Sequence, residues 1–160
     1  MTATTSISTF FLSLLIATAA EVAPSRALFN GTDLSGWNGA GYVVEEGAIV
    51  CTPEGKNLVT AQTFSNYVLD FDFKVPAGGN SGLGIHYPGT GDGAYTGMEI
   101  QILDNSAPQY KDLREDQFHG SLYKLAAAKK SGLKPAGEWN HQRVTVSGPA
   151  VMVELNGEII

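Results

Sequence analysis

Glu99 and Gln101 stand two residues apart in a stretch where Met98, Ile100 and Ile102 occupy the alternate positions. In an extended strand, residues i and i+2 share a face, so a carboxylate and a carboxamide are presented side by side. The preceding alternating stretch sets Leu83, Ile85 and Tyr87 against Gly82, Gly84 and His86. If these two strands pair, their polar faces adjoin, and the glycines leave room for a ligand to approach the backbone. A face of Glu, Gln, His and glycine is not a core; it is solvated or it floors a cleft. The cleft is favoured because long polar loops leave the same strands, between Tyr87 and Met98 and from Asp104 to His119. Loops of that length in a compact domain usually carry function. His119 follows a charged loop containing Asp112, Arg114, Glu115 and Asp116. An imidazole there can serve as a base or a metal ligand, or simply make a local hydrogen bond. His86 poses the same choice.

The elements that must position these groups are short strands. Residues 66–75 alternate cleanly, with Tyr67, Leu69, Phe71, Phe73 and Val75 facing one way and Val68, Asp70, Asp72 and Lys74 the other. That is the period of a half-buried strand, ended by the turn residues 76–80. Near the C-terminus Gln142, Val144 and Val146 alternate with His141, Arg143 and Thr145, and Val151, Val153 and Leu155 follow the Gly148-Pro149 turn. Asn156-Gly157 is a two-residue hairpin signal, and Glu45-Glu46-Gly47 separates another strand pair. Residues 122–130 alone have helix-forming composition, as a short helix or an irregular excursion. Many short strands with turns every 8–12 residues predict an all-β antiparallel sandwich or barrel. Its expected core holds Leu69, Phe71, Phe73, Ile85, Ile100, Ile102, Val144 and Val153.

Composition narrows the function classes. In 160 residues, 10 Lys and Arg against 16 Asp and Glu give a net charge of −6, with no basic cluster, which argues against nucleic acid and anionic membrane surfaces as partners. One cysteine, Cys51, excludes an intrachain disulfide framework and a Cys-rich zinc site. No specific protein partner is implied. Residues 10–20 form an apolar run about half the roughly 20 residues a membrane span needs. With Ala17-Thr18-Ala19 as a small-x-small cleavage pattern, residues 1–19 read as a signal peptide. The expectation is an exported protein, periplasmic or extracellular, with no membrane span once mature, a linker over residues 20–26 and one domain over residues 27–160.

Two family resemblances bear on the chemistry. Glu99-Ile100-Gln101-Ile102-Leu103-Asp104 resembles the E-x-D-x-x-E motif of laminarinase-type β-glucanases, with glutamine for the middle acid and aspartate for the last. Retaining hydrolysis needs two carboxylates about 5–5.5 Å apart, so the changed pattern weakens that assignment. The second resemblance spans the chain from residue 28 onward. It rests on Leu28-Phe29-Asn30-Gly31-Thr32-Asp33-Leu34-Ser35-Gly36-Trp37, Gly79-Asn80-Ser81-Gly82, Gly97-Met98-Glu99-Ile100-Gln101-Ile102-Leu103-Asp104-Asn105 and Gly120-Ser121-Leu122-Tyr123. Lys134-Pro135-Ala136-Gly137-Glu138-Trp139-Asn140 and Leu155-Asn156-Gly157 complete it. These six blocks in order resemble the 3-keto-disaccharide hydrolase family.

The resemblance implies a concanavalin-like jelly-roll sandwich acting on glycosides already oxidised to a ketone at carbon 3, some members being lyases that use a divalent metal. It also implies further strands beyond the Asn156-Gly157 hairpin, which would leave the C-terminal part of the sandwich missing here. A 3-ketone acidifies the carbon-2 proton, so one base, one group or metal at the enolate oxygen and an acid for the leaving group suffice. The resemblance makes Glu99 or His119 the base and Tyr123 the acid. His86, Gln101, Asp104 and Arg143 are the candidates to orient the sugar or stabilise charge. Glu99 and His119 are the candidate ligands if a metal binds. The rivals are a non-catalytic carbohydrate-binding module and a β-glucanase.

Overall fold

The computed structural model describes residues 25–160. The expected signal peptide and the linker up to residue 24 lie outside the described residues. The described residues form ten strands, almost no helix, and only antiparallel pairings. β1 (Trp37–Asn38) pairs with β4 (Val59–Thr60), and β2 (Tyr42–Glu45) with β3 (Ala48–Cys51). β5 (Tyr67–Phe73), β8 (Asn140–Ser147), β9 (Ala150–Leu155) and β10 (Glu158–Ile159) make a four-stranded sheet in the order β10-β9-β8-β5. Facing it, β6 (Asn80–Ile85) pairs with β7 (Met98–Leu103). This is the antiparallel sandwich expected from the alternation, of the jelly-roll type that the resemblance implies. Among the described residues no helix is long and apolar enough to cross a membrane.

The core forms where the apolar faces of the two sheets meet. Ile85 and Ile100 pack against Val144, Val146 and Val153, with Phe71, Leu83 and Met98 around them. Fully burying one such side chain contributes roughly 1.5–3 kcal/mol. Of the eight expected core residues, Phe73, Ile85, Ile100, Val144 and Val153 are buried. Leu69, Phe71 and Ile102 are half-buried. For Leu69 and Phe71 the reason is position: β5 is an edge strand, covered by β8 on one side only.

The hairpin turns follow from backbone chirality. Glu46-Gly47 and Asn156-Gly157 both have positive φ at each central residue, 49° and 75°, and 49° and 90°, the combination that matches the twist of two paired strands. Residues 122–130 form no helix. Tyr123 is drawn to the edge of β7 by its N–H bond to the Glu99 carbonyl, and Lys124 adopts φ 61°, a left-handed conformation that a right-handed helix cannot continue.

Candidate active site

The register of β6 on β7 sets Gly82 opposite Gln101 and Gly84 opposite Glu99. A Cβ on Gly82 would run into the Glu99 carboxylate, so the glycine is what lets this acid lie across its neighbour. On the other edge of β7, residues 120–123 add a short strand-like segment. Gln101 N–H donates to Ser121 C=O at 2.9 Å, Gly120 N–H to Gln101 C=O at 2.9 Å, and Tyr123 N–H to Glu99 C=O at 2.8 Å. Ile100 bridges Leu122 within this pairing, which places Tyr123 opposite Glu99 on the face turned away from the core. The segment is aimed by the turn at Phe118–Ser121, closed by Ser121 N–H on Phe118 C=O, where Gly120 has φ 83°. That conformation favours glycine, and a Cβ there would also strike Ile160.

A loop packs over this face and orients Tyr123. The Gln117 Oε1 accepts from the Arg114 N–H at 3.2 Å, so its Nε2 is the atom that donates to the Tyr123 hydroxyl, at 3.0 Å. With its oxygen accepting, the hydroxyl keeps its own proton for a ligand. Gln101 is buried and holds the loop: its Nε2 donates to Gln117 C=O at 3.3 Å and its Oε1 accepts from Ile102 N–H at 3.1 Å. At the rim, Lys124 donates to the Tyr95 hydroxyl at 3.1 Å. Arg114 is held by both oxygens of Asp116, at 3.0 and 2.7 Å.

Glu99 is the electrostatically unusual group. Burial, and then the charge of Asp92, push its carboxyl above the ordinary glutamate value, with no hydrogen bond acting to lower it. Asp92 is fixed nearby as the N-cap of a one-turn helix, α1 (Gly93–Thr96), accepting from Ala94 N–H at 2.9 Å. A half-buried carboxyl with a raised pKa is suited to taking a proton from carbon near neutral pH.

The structure gathers Glu99, Gln101 and Tyr123 along β7 and the segment paired with it, and places His119, Asp104 and Arg143 in other surroundings. His119 lies between the sheets, 2% exposed and stacked on Phe73 at 5.1 Å. Burial lowers its pKa to about 4 against an opposing contribution from the Gln142 side chain, and among the described residues neither ring nitrogen has a partner in good hydrogen-bond geometry. Asp104 is buried in a turn, accepting from Gly78 N–H at 2.8 Å, Ser106 N–H at 3.0 Å and Ser106 Oγ at 2.6 Å, and its carboxyl is held below the ordinary value by the Ser106 and Gly78 bonds. Arg143 sits on the outer face of the opposite sheet, paired with Asp70 at 2.7 Å across the β5–β8 register. His86 is exposed just beyond β6, with φ 50°. Glu99 is half-buried on β7 whereas His119 is almost wholly buried, and no three His, Cys, Asp or Glu side chains converge among the described residues. A metal held by Glu99 and His119 would thus have no third carboxylate, imidazole or thiolate from the described residues.

Sequence reasoning missed Asp92, Tyr95, Gln117 and Lys124. All four lie in or beside the two long polar loops, so loop length carried the signal, but nothing in the spacing singles out these residues.

Antiparallel sheets packed face to face, with a raised carboxyl lying over glycine on β7, define a β-sandwich of the glycosyl-hydrolase-like kind. Residues 24–160 match the family of 3-keto-alpha-glucoside-1,2-lyase-like domains, and the chain belongs to that family. It is 27% identical to the 3-keto-disaccharide hydrolase of Bacteroides thetaiotaomicron over 82% of its own length, and spans 55% of that relative. Among solved structures, a Parabacteroides distasonis protein provisionally described as a glycosyl hydrolase matches at 31% identity and TM-score 0.75, over 82% of this chain and 68% of that one. A second from the same organism, described in the same way, matches at 33% identity and TM-score 0.61, over 64% of this chain and 53% of that one.

Proposed function

We propose that the chain cleaves 3-keto-glycosides by elimination across carbons 1 and 2, followed by hydration. The observation that carries the reading is Glu99, a raised, half-buried carboxylate lying on glycine beside a tyrosine whose hydroxyl proton is free. Glu99 takes the carbon-2 proton, and the C–H electron pair moves into the C2–C3 bond as the carbon-3 carbonyl becomes an enolate. The enolate re-forms the ketone and expels the carbon-1 substituent, which takes its proton from Tyr123. Water then adds at carbon 1, giving its proton back to Tyr123, while carbon 2 recovers the proton from Glu99. The sum is hydrolysis, with both side chains restored. The related hydrolase name and the lyase-like family support this chemistry. A glucanase pair is disfavoured because Asp104 is engaged in its turn. The signal-like segment at residues 1–19 supports export as part of the proposal.

Methyl 3-keto-α-glucoside in D2O, followed by NMR, tests this with and without a chelator. Deuteration at carbon 2 and release of methanol are expected, both falling at least 100-fold in Glu99→Gln. Tyr123→Phe should retain exchange while slowing methanol release. Equal turnover of the unoxidised glycoside would support the glucanase instead, and binding without turnover would support a carbohydrate-binding module.

A further inference from the structure

We infer that Lys124 is a further catalytic residue, the cation that carries the negative charge developing on the carbon-3 oxygen of the substrate. The inference rests on the elimination reading above and deepens it. That reaction places an anion on the carbonyl oxygen next to the carbon from which Glu99 takes the proton, and a preformed cation at that point stabilises the transition state directly.

Three observations single out Lys124. Its place is fixed relative to the base: it directly follows Tyr123, which is paired with Glu99, and its own N–H is anchored on Asp116 C=O at 2.9 Å. Its ammonium is held in an aromatic corner, 5.2 Å from the ring centres of both Tyr95 and Tyr123. One of its three donors goes to the Tyr95 hydroxyl, leaving two for a ligand. The neighbouring cation, Arg114, has its guanidinium closed on Asp116.

The third observation is backbone strain. Lys124 has φ 61°, a conformation that glycine or asparagine adopts more readily than lysine. The turn alone would be better served by either. Non-glycine residues in this region cluster at functional sites, where the surroundings hold them against their preference. Here the surroundings are the two tyrosine rings and the Asp116 carbonyl, and what they hold in place is the ammonium.

The test uses the full chain and separates backbone from charge. Lys124→Asn and Lys124→Gly tolerate the left-handed backbone and remove the ammonium. Both are expected to unfold at the wild-type temperature or a few degrees above it, since strain is relieved. Carbon-2 deuteration of methyl 3-keto-α-glucoside should nevertheless fall 100- to 1,000-fold in kcat, the range for losing one oxyanion donor. Lys124→Arg should recover at least tenfold over Lys124→Asn. If Glu99→Gln abolishes exchange but Lys124→Asn stays within threefold of wild type, the assignment of Lys124 is overturned while the elimination reading stands. If wild type shows no exchange above buffer, the elimination reading fails and takes the inference with it.

Discussion

Burying His119 should make this sandwich lose stability in mild acid. The ring has a pKa of about 4 in the folded chain, against an ordinary 6.5. Between those values the unfolded chain binds a proton that the folded chain does not, so stability falls as pH falls, by about 1.4 kcal/mol per pH unit across the middle of the window. Working the two-state linkage from pH 7 down to pH 4.5 gives a loss of about 2 kcal/mol from this one residue. The ring is 2% exposed, so no discount for solvent screening applies. Glu99, shifted up, has the opposite sign: it favours the folded state at low pH and loses that contribution as pH rises through its folded value. Asp33, Asp70, Asp104 and Asp116 are shifted down, so their contributions fade only below the ordinary aspartate value. The assay is urea unfolding of wild type and His119→Phe at pH 7 and pH 4.5. Phenylalanine keeps the stack on Phe73 and removes two nitrogens that have no protein partner, so the variant should match or exceed wild type at pH 7. It should also lose about 2 kcal/mol less than wild type on acidification. A difference between the two losses smaller than roughly 0.5 kcal/mol would refute a buried, neutral imidazole.

Two further substitutions test the framework under the site. Gly82→Ala places a methyl where the Glu99 carboxylate lies; a 10- to 100-fold fall in carbon-2 exchange is expected with little change in melting temperature, because displacement by about 1 Å is costly to catalysis. Gly120→Ala combines φ 83° with a collision against Ile160, so urea denaturation should show a loss of at least about 1–2 kcal/mol.

How far the sequence disclosed these features depended on what kind of signal each residue leaves. Alternation in residues 66–75 and 97–103 marked Phe73 and Ile100 as core but not Gln101 and Leu103, which are buried on the other side of β7, and Glu99 and Gln101 were found opposite Gly84 and Gly82 as their spacing predicted. The Asn156-Gly157 hairpin was equally legible, because two positive φ values in a row leave few residue choices. His119 and Asp104 were not legible as internal groups. Polar residues after a charged loop look the same whether they face a ligand or the core, and the turn at Phe118–Ser121 decides which. Lys124 was hidden for the opposite reason, since a helix-forming run gives no hint that its third residue turns left-handed.

Arg143 shows the remaining gap most clearly. Its strand alternates as cleanly as that of Glu99, and both residues were assigned to polar faces, but a sandwich has two outer faces and alternation does not distinguish them. What distinguishes them is compensation of charge. On the outer face of β5 and β8, Asp70 is matched by Arg143 at 2.7 Å, and His141 lies between Asp70 and Asp72 at 3.4 and 2.9 Å. A cross-strand ladder of that kind satisfies its own charges and asks nothing of a ligand. On the outer face of β7, Glu99 has burial and a like charge acting on it and no hydrogen bond offsetting them. Holding a carboxylate that way costs stability unless something else compensates, and the residue paired with it across the edge of β7 is Tyr123, whose hydroxyl keeps its proton. The uncompensated face is therefore the one on which a ligand has an energetic role to fill.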